Sequence, residues 1–347
     1  MKEAPIIGLS ERVYETSKLA ALYDMLVDQD CPPDEILKNV NLTVTDVHSP
    51  KARISLADLM TACENAIRLS SDPYLPYRIG ASVHISAYGM YGFAILCCPD
   101  YRKTMAFAEF YHALAAPLAT ITFSEKEGLA SWVIEPNARA ATNPQLYRFI
   151  TEMQIGIHIS LMQDIMGPTF TPDRITLAYP ESHDFALPAE QIGCRPIFAS
   201  KTSQIIFQST WLDQPANLGN KTTYPAVEAL CDGLLSDLKS RVGLAGEIRA
   251  LLIRDIANPP TLAAIAKFLE LSERSLRRQL REQGISFRGL LDELRTQIAL
   301  KYLRTTRLPN EDIALALGFS DAANFRRAFR RWTDKSPSDI RAEQVSG

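Results

Sequence analysis

Two stretches near the end of the chain share one pattern, and that pattern leaves few folds open. The first runs Thr261-Leu-Ala-Ala-Ile-Ala-Lys-Phe-Leu-Glu-Leu271 and continues as Ser272-Glu-Arg-Ser-Leu-Arg-Arg-Gln-Leu-Arg281. Leu262, Ile265, Ala266 and Leu269 recur at helical spacing on one stripe. Ser272 is placed to cap a second helix, its hydroxyl accepting from an otherwise unpaired amide. Leu276 and Leu280 are one turn apart and share a face that can anchor this helix. Arg274, Arg277, Arg278 and Arg281 occupy the remaining faces. Arginines at that density resist burial. Their planar forks suit phosphate oxygens and the O6/N7 edge of guanine. Helix, short turn and capped basic helix is the outline of a helix-turn-helix, whose second helix enters the major groove.

The second stretch, Ile313-Ala-Leu-Ala-Leu-Gly-Phe-Ser-Asp-Ala-Ala-Asn-Phe-Arg-Arg-Ala-Phe-Arg-Arg-Trp332, repeats the design. Its first helix stops at Gly318, which tolerates the positive φ of a helix end. Its second carries Arg326, Arg327, Arg330 and Arg331, with Phe325 and Phe329 in the inward places of Leu276 and Leu280. Arg278 and Arg327 match, 49 residues apart. Between the copies, Arg288 to Leu303 is amphipathic and is expected to form a connecting helix. Such a helix can hold two recognition helices about one DNA turn apart, roughly 34 Å.

Gly318-Phe319-Ser320-Asp321, Phe325, Arg327-Ala328-Phe329, Trp332, Ser336-Pro337 and Arg341 closely resemble the second helix-turn-helix signature of the AraC/XylS family of bacterial transcription regulators. One departure is Asp334-Lys335, where that family often has glycine before its Ser-Pro. The resemblance implies two helix-turn-helix units in one monomer, reading adjacent major grooves of double-stranded DNA at a promoter. It also implies activation through contact with RNA polymerase as the default, with repression or effector-independent regulation as the alternative. More weakly, Phe170-Thr-Pro172, Ile175-Thr-Leu177, Pro180, Cys194-Arg-Pro-Ile-Phe198, Ile206-Phe207 and Leu212-Asp-Gln-Pro215 resemble the arabinose-binding-like effector domain of the same family. That domain type implies a small-molecule effector without naming it.

The length suggests two domains. Residues 1–240 are expected to form an effector-binding domain and 241–347 the DNA-binding domain. The helix-turn-helix units are expected at about 261–283 and 311–332, with the connecting helix at about 288–304. The net charge of −3 hides a strong asymmetry. From Ala245 onward there are 18 Lys and Arg against 13 Asp and Glu; the remainder holds 19 against 27. A basic part joined to an acidic one is expected when only one domain meets phosphates.

The first part predicts an α+β domain, a small sheet with helices. Leu19, Leu22, Tyr23 and Leu26 form one helical stripe, and Pro32-Pro33-Asp34-Glu35 opens another helix. Ser55 and Asp58 give a capping-box-like start to a helix over 55–69, and Asp100 to one over 101–116. Strands are expected at 119–123 and 130–134 around the turn Lys126-Glu-Gly128, and again at 174–178 and 204–207. A long helix over 145–165 packs on them, with Tyr147, Ile150, Met153, Ile157 and Leu161 near one stripe. A helix over 228–244 ends this part, with Gly243 and Gly246 as breakers.

No nucleophile elbow, Walker loop, dinucleotide turn or zinc-protease motif occurs, so no catalytic residue, cofactor or metal is expected and the chain reads as a non-enzyme. Six cysteines, Cys31, Cys63, Cys97, Cys98, Cys194 and Cys231, form no metal-type spacing and read as small buried hydrophobes. No cysteine neighbours a histidine, as a methyl-accepting repair protein would require. The five histidines are scattered; His84 and His112 fall in a segment rich in Tyr and Phe, either core or an apolar effector pocket. The longest apolar run, around Met90–Cys98, is too short for a membrane span, and no secretory signal opens the chain. A cytoplasmic protein without a membrane partner is expected, and a homodimer is left open. The expected DNA readers are Arg274, Ser275, Arg277 and Arg278 in the first unit and Asn324, Arg326 and Arg327 in the second. Ala322 and Ala323 offer only apolar contact there, for instance with a thymine methyl.

Overall fold

The computed structural model describes residues 9, 11–181, 186–282 and 285–345. His183 and position 283, the expected end of the first helix-turn-helix, lie outside them. The chain forms two compact units, Arg12–Leu238 and the residues from Lys239 on. The division expected at 240 puts Leu9 and Glu11 in the first part, but they group with the second unit. The reason is electrostatic: Arg249 is fully buried there and draws in Glu11 at 2.5 Å and Glu293 at 3.3 Å.

The first unit is α+β. Helix α1 (Ser17–Val27) buries Leu19, Leu22 and Leu26 completely, each contributing roughly 1.5–3 kcal/mol of apolar burial. A single turn at Pro33–Ile36 follows. Helix α2 (Leu56–Leu69) starts at Ser55, whose hydroxyl accepts from the Asp58 amide and donates to its carboxylate. Helices α3 (Leu75–Ala81), α4 (Gly89–Cys97) and α5 (Tyr101–Phe110) complete this layer. Asp100 caps α5 through the Lys103 amide. The helix is shorter than its expected 101–116 span. A 3-10 turn at His112–Ala115 follows, and Ala116 turns left-handed at φ 47°. Ala116 precedes Pro117, whose ring disfavours a helical residue before it.

Five strands make one sheet in the order β1-β2-β5-β3-β4. They are β1 (Ala119–Lys126), β2 (Leu129–Pro136), β3 (Arg174–Thr176), β4 (Pro196–Ile197) and β5 (Ser203–Gln208). Among the described residues the β3–β4 pairing is the parallel one, and the other strand pairs are antiparallel. The two-residue β4 gives no sequence pattern. Glu127 and Gly128, at φ 52° and 79°, close the β1–β2 hairpin as both central residues of its turn. Ala130, Trp132 and Ile134 form the inward face of β2.

Helix α6 (Pro144–Met166) runs along the sheet. One stripe was expected, but Phe149 through Ser160 are buried on every side, which makes α6 the central helix of the unit. It crosses α3 backbone to backbone. A Cβ added at Gly80 would stand 2.0 Å from the Met153 carbonyl oxygen, and one at Gly156 2.3 Å from that of Tyr77.

Helix α7 (Tyr224–Arg254) continues through Gly243 and Gly246, which do not break it. Ala245, Ile248 and Leu252 are fully buried, and that packing outweighs the roughly 1 kcal/mol that a helical glycine costs. The second unit then follows the repeat. Helices α8 (Leu262–Phe268) and α9 (Glu273–Glu282) form the first pair, α10 (Phe287–Thr305) connects, and α11 (Asn310–Ala316) and α12 (Ala322–Thr333) form the second. Helix α13 (Pro337–Val345) closes the chain, capped reciprocally by Ser336 and Asp339. Ile248, Leu252, Ile265, Leu276, Leu280 and Leu290 share one core.

Among the described residues no single helix is long and apolar enough to cross a membrane. All six cysteines are free thiols. Burial pushes Cys63 and Cys98 up to about 12 and Cys231 to about 11, which keeps them protonated.

Candidate nucleic-acid interface and ligand cavity

Helix α9 begins where Ser272 accepts from the Ser275 amide at 3.1 Å. Leu276 and Leu280 are essentially inaccessible and pin it to the core. The same geometry turns Arg274, Arg277, Arg278 and Arg281 outward, all exposed, with Ser275 half-buried at the first turn. Arg277 meets Glu273 one turn back at 3.2 Å. An exposed pair of this kind holds weakly and can be exchanged for a phosphate.

Helix α12 repeats the arrangement with heavier anchors. Gly318 ends the preceding helix at φ 76°. Asp321 caps α12 through the Asn324 amide at 2.7 Å, and this hydrogen bond is the main reason its carboxyl lies below the usual range. Phe325 and Phe329 are fully buried and join Phe319 in a ring cluster, with Trp332 against Phe319 and the Arg295 guanidinium 4.9 Å from the Phe319 centroid. Arg326, Arg327, Arg330 and Arg331 point outward.

The site residues named from sequence therefore lie on two similarly anchored helices, five of the seven being exposed arginines. Asn324 is engaged internally: its amide nitrogen bonds Ser320 and Asp321, and its oxygen accepts from Arg327 at 2.6 Å. Ala322 departs from the expectation. It is buried on the inward face that Phe325 shares, whereas Ala323 is exposed. At Asp334, where glycine was noted as usual, the backbone takes the left-handed conformation at φ 56° and still closes α12 through the Arg330 carbonyl.

The first unit holds a cavity with an empty volume of about 520 Å³, mouth included. Apolar side chains such as Ile95, Met105, Ile121, Ile157 and Met162 form most of its wall. Its polar groups are Lys18 from α1, Tyr88 and Tyr91, Thr104, His112, and Gln154 and His158 from α6, with the Trp132 indole from β2. The aromatic segment thus contributes Tyr88, Tyr91 and His112. His84 is instead exposed and paired with Asp164 at 3.0 Å.

Lys18 is buried, and its ammonium donates to the Ala116 carbonyl at 3.0 Å. Burial lowers it to about 7. Burial likewise lowers His158 to about 4 and His112 well below the ordinary range, so both imidazoles are neutral at pH 7. His158 Nδ1 lies 2.9 Å from the Gln154 carbonyl. The Trp132 Nε1 and Gln154 Oε1 atoms are buried without a hydrogen-bond partner. Lys18, Trp132 and His158 were not singled out in the sequence. The available signal was a lysine four residues before Leu22, at the edge of an apolar stripe, a pattern that surface lysines also produce.

Comparison with known proteins places both halves. The arabinose-binding N-terminal domain of AraC transcription regulators matches residues 31–216, and a helix-turn-helix domain matches residues 265–343. The chain is 31% identical over 324 residues to the ornithine utilization regulator of Pseudomonas aeruginosa, covering 92% of this chain and 94% of that protein. It is 42% identical over 79 residues to the transcriptional activator RhaS of Escherichia coli, covering 22% of this chain and 28% of RhaS. The crystal structure of the transcriptional regulator CdpR from Pseudomonas aeruginosa shares the fold, with a TM-score of 0.50 at 21% identity over 96% of this chain and 100% of that one. The chain belongs to the AraC family of transcription regulators, with a helix-turn-helix DNA-binding domain and an N-terminal effector-binding domain.

Proposed function

We propose that this regulator is a ligand-responsive activator whose α9 and α12 enter adjacent major grooves of one promoter. The observation that supports this most is the pair of capped helices, each pinned by two buried apolar residues and each presenting a row of exposed arginines. Arg274, Ser275, Arg277 and Arg278 read bases or hold the backbone in the first groove. Arg326 and Arg327 serve in the second, with Asn324 orienting Arg327 through their 2.6 Å contact. The second unit supplies more phosphate affinity and less base discrimination, since its early positions are alanines. Activation rests on the family default and on the name of RhaS, and implies contact with RNA polymerase. The protein works by binding rather than catalysis, in the cytoplasm, with a homodimer as a further expectation.

The cavity of the first unit is where the effector binds. A ligand shifts regulation only through its different affinity for two states of the protein. Ornithine features in the name of one relative, yet no carboxylate is among the residues lining this cavity to meet a side-chain ammonium, and the cavity does not match ornithine.

The test is selection from random duplexes by the purified full-length protein at near-physiological salt. A bipartite motif with blocks one helical turn apart is expected. Absence of any enrichment over random DNA would sink sequence-specific reading. For the effector, a promoter reporter is compared between wild type and Ala108→Trp, which fills the cavity. Medium-dependent output in wild type, lost in the variant, is expected; identical output in every medium overturns the effector reading.

A further inference from the structure

The cavity is selective in what it can pair. Most of the wall is apolar, Ile95, Met105, Ile157 and Met162 included, so a ligand polar on every side would turn some of its hydroxyls against carbon, at a cost for each. A cationic ligand would find no Asp or Glu among the lining residues. Among its polar groups are one buried ammonium and one buried indole N–H, each with donor capacity left over, beside one unpartnered acceptor, Gln154 Oε1. An ammonium has three donors, and the Lys18 nitrogen uses one on Ala116. It also lies 5.9 Å from the Tyr88 ring centroid, on the cavity wall. The Trp132 N–H is unpartnered, and its ring stands 5.4 Å from that of His158. Both donors line the same cavity. An unpaired buried donor is expensive, and a buried cation more so.

Resting on the effector reading above, we propose that the cavity takes a small monoanionic organic acid with an apolar body, its carboxylate paired with Lys18 and accepting from Trp132 Nε1. One cation matches one carboxylate. The bound anion restores full charge to Lys18, whose burial alone had brought it to about 7. Binding above that pH therefore takes up a proton. The other titratable groups facing Lys18 are Cys63 on α2, Tyr88, His112 and His158. None of them changes charge between pH 7 and 8.5, because Cys63 and Tyr88 are raised by burial and both histidines are lowered.

The test measures binding to the full-length protein, by calorimetry and thermal shift, of three probes sharing one body: n-octanoate, 1-octanol and n-octylamine. Octanoate is expected to bind at least about tenfold tighter than either of the others. Lys18→Met keeps the stem and removes the charge; it is expected to bring octanoate to within about twofold of octanol. Trp132→Phe, an independent variant, is expected to weaken octanoate several-fold and octanol less, since the carboxylate is the stronger acceptor. In wild type, octanoate affinity is expected to fall between pH 7 and 8.5, approaching about tenfold per pH unit, with octanol flat. Octanol or octylamine binding as tightly as octanoate, a preference for octanoate that survives Lys18→Met, or no binding of octanoate at its solubility limit would each overturn the acid assignment. None of these outcomes touches the effector reading, which is decided by the reporter comparison.

Discussion

Gly80 and Gly156 mark the point where α3 and α6 touch backbone to backbone. A Cβ on Gly156 would lie 3.1 Å from the Gly80 carbonyl carbon as well as 2.3 Å from the Tyr77 oxygen. The obstacle is main chain on both sides, so no side chain can swing away. Gly156→Ala is therefore expected to push the helices apart and destabilise the first unit by about 3 kcal/mol. Urea unfolding followed at both units would show the loss in this unit alone. Gln154, Ile157 and His158 flank Gly156 in sequence and line the cavity, so ligand binding should weaken in the same variant.

Glu152 is the buried acid of α6. Its Oε1 accepts from the Tyr179 hydroxyl at 3.0 Å, while Oε2 has no partner. Burial raises it to about 8. The folded state thus keeps a proton that the unfolded state gives up near 4.5. Stability from this group is full below 4.5 and declines as pH rises toward 8. Glu152→Gln should flatten that decline and raise the melting temperature at pH 8 while changing little at pH 4.5. A melting curve series in pH, wild type against variant, checks the sign.

Arg277→Ala or Arg278→Ala should cost about 1–3 kcal/mol in binding if the guanidinium is bidentate to guanine, and relax one position of the selected motif. Uniform weakening across sequences, with a smaller salt slope, would instead mark a phosphate contact. Arg326→Ala and Arg327→Ala are expected to behave in the second way.

Asp334 holds φ 56° at the end of α12, a conformation that costs an L-residue roughly 1 kcal/mol. Asp334→Gly should recover up to about that amount and raise the melting temperature of the second unit. A lower melting temperature would mean the carboxylate has a stabilising role of its own there.

The basic helices were legible because each couples two independent patterns, an apolar pair one turn apart and a cluster of arginines that has nowhere to go but outward. Leu276 with Leu280 and Phe325 with Phe329 fix the inward face, and the arginines follow from it. The hairpin at Glu127-Gly128 and the cap at Ser55 were legible for the same reason, since local chemistry decides them. The cavity was harder to see. Lys18, Trp132 and His158 come from a helix, a strand and another helix far apart in sequence, and only tertiary packing brings them to one wall. Gly243 and Gly246 misled because propensity was read without the buried Ala245, Ile248 and Leu252 around them. Ala322 misled because its nearness to the helix start suggested access, whereas Phe325, one turn on, sets the inward face.

The buried Arg249 has a practical consequence for anyone dissecting this protein. Its carboxylate partners are Glu293 and, from the opposite end of the chain, Glu11, with the Leu9 amide donating to Glu293 at 3.3 Å. A fragment starting after residue 240 would retain the guanidinium and lose its nearest counter-ion, a defect of about 3–5 kcal/mol. Poor behaviour of such a fragment would be a fault of the scissors rather than a property of the DNA-binding domain. A truncated protein meant to report on DNA alone should carry Arg249→Met, or be spliced so that the first eleven residues travel with the last hundred.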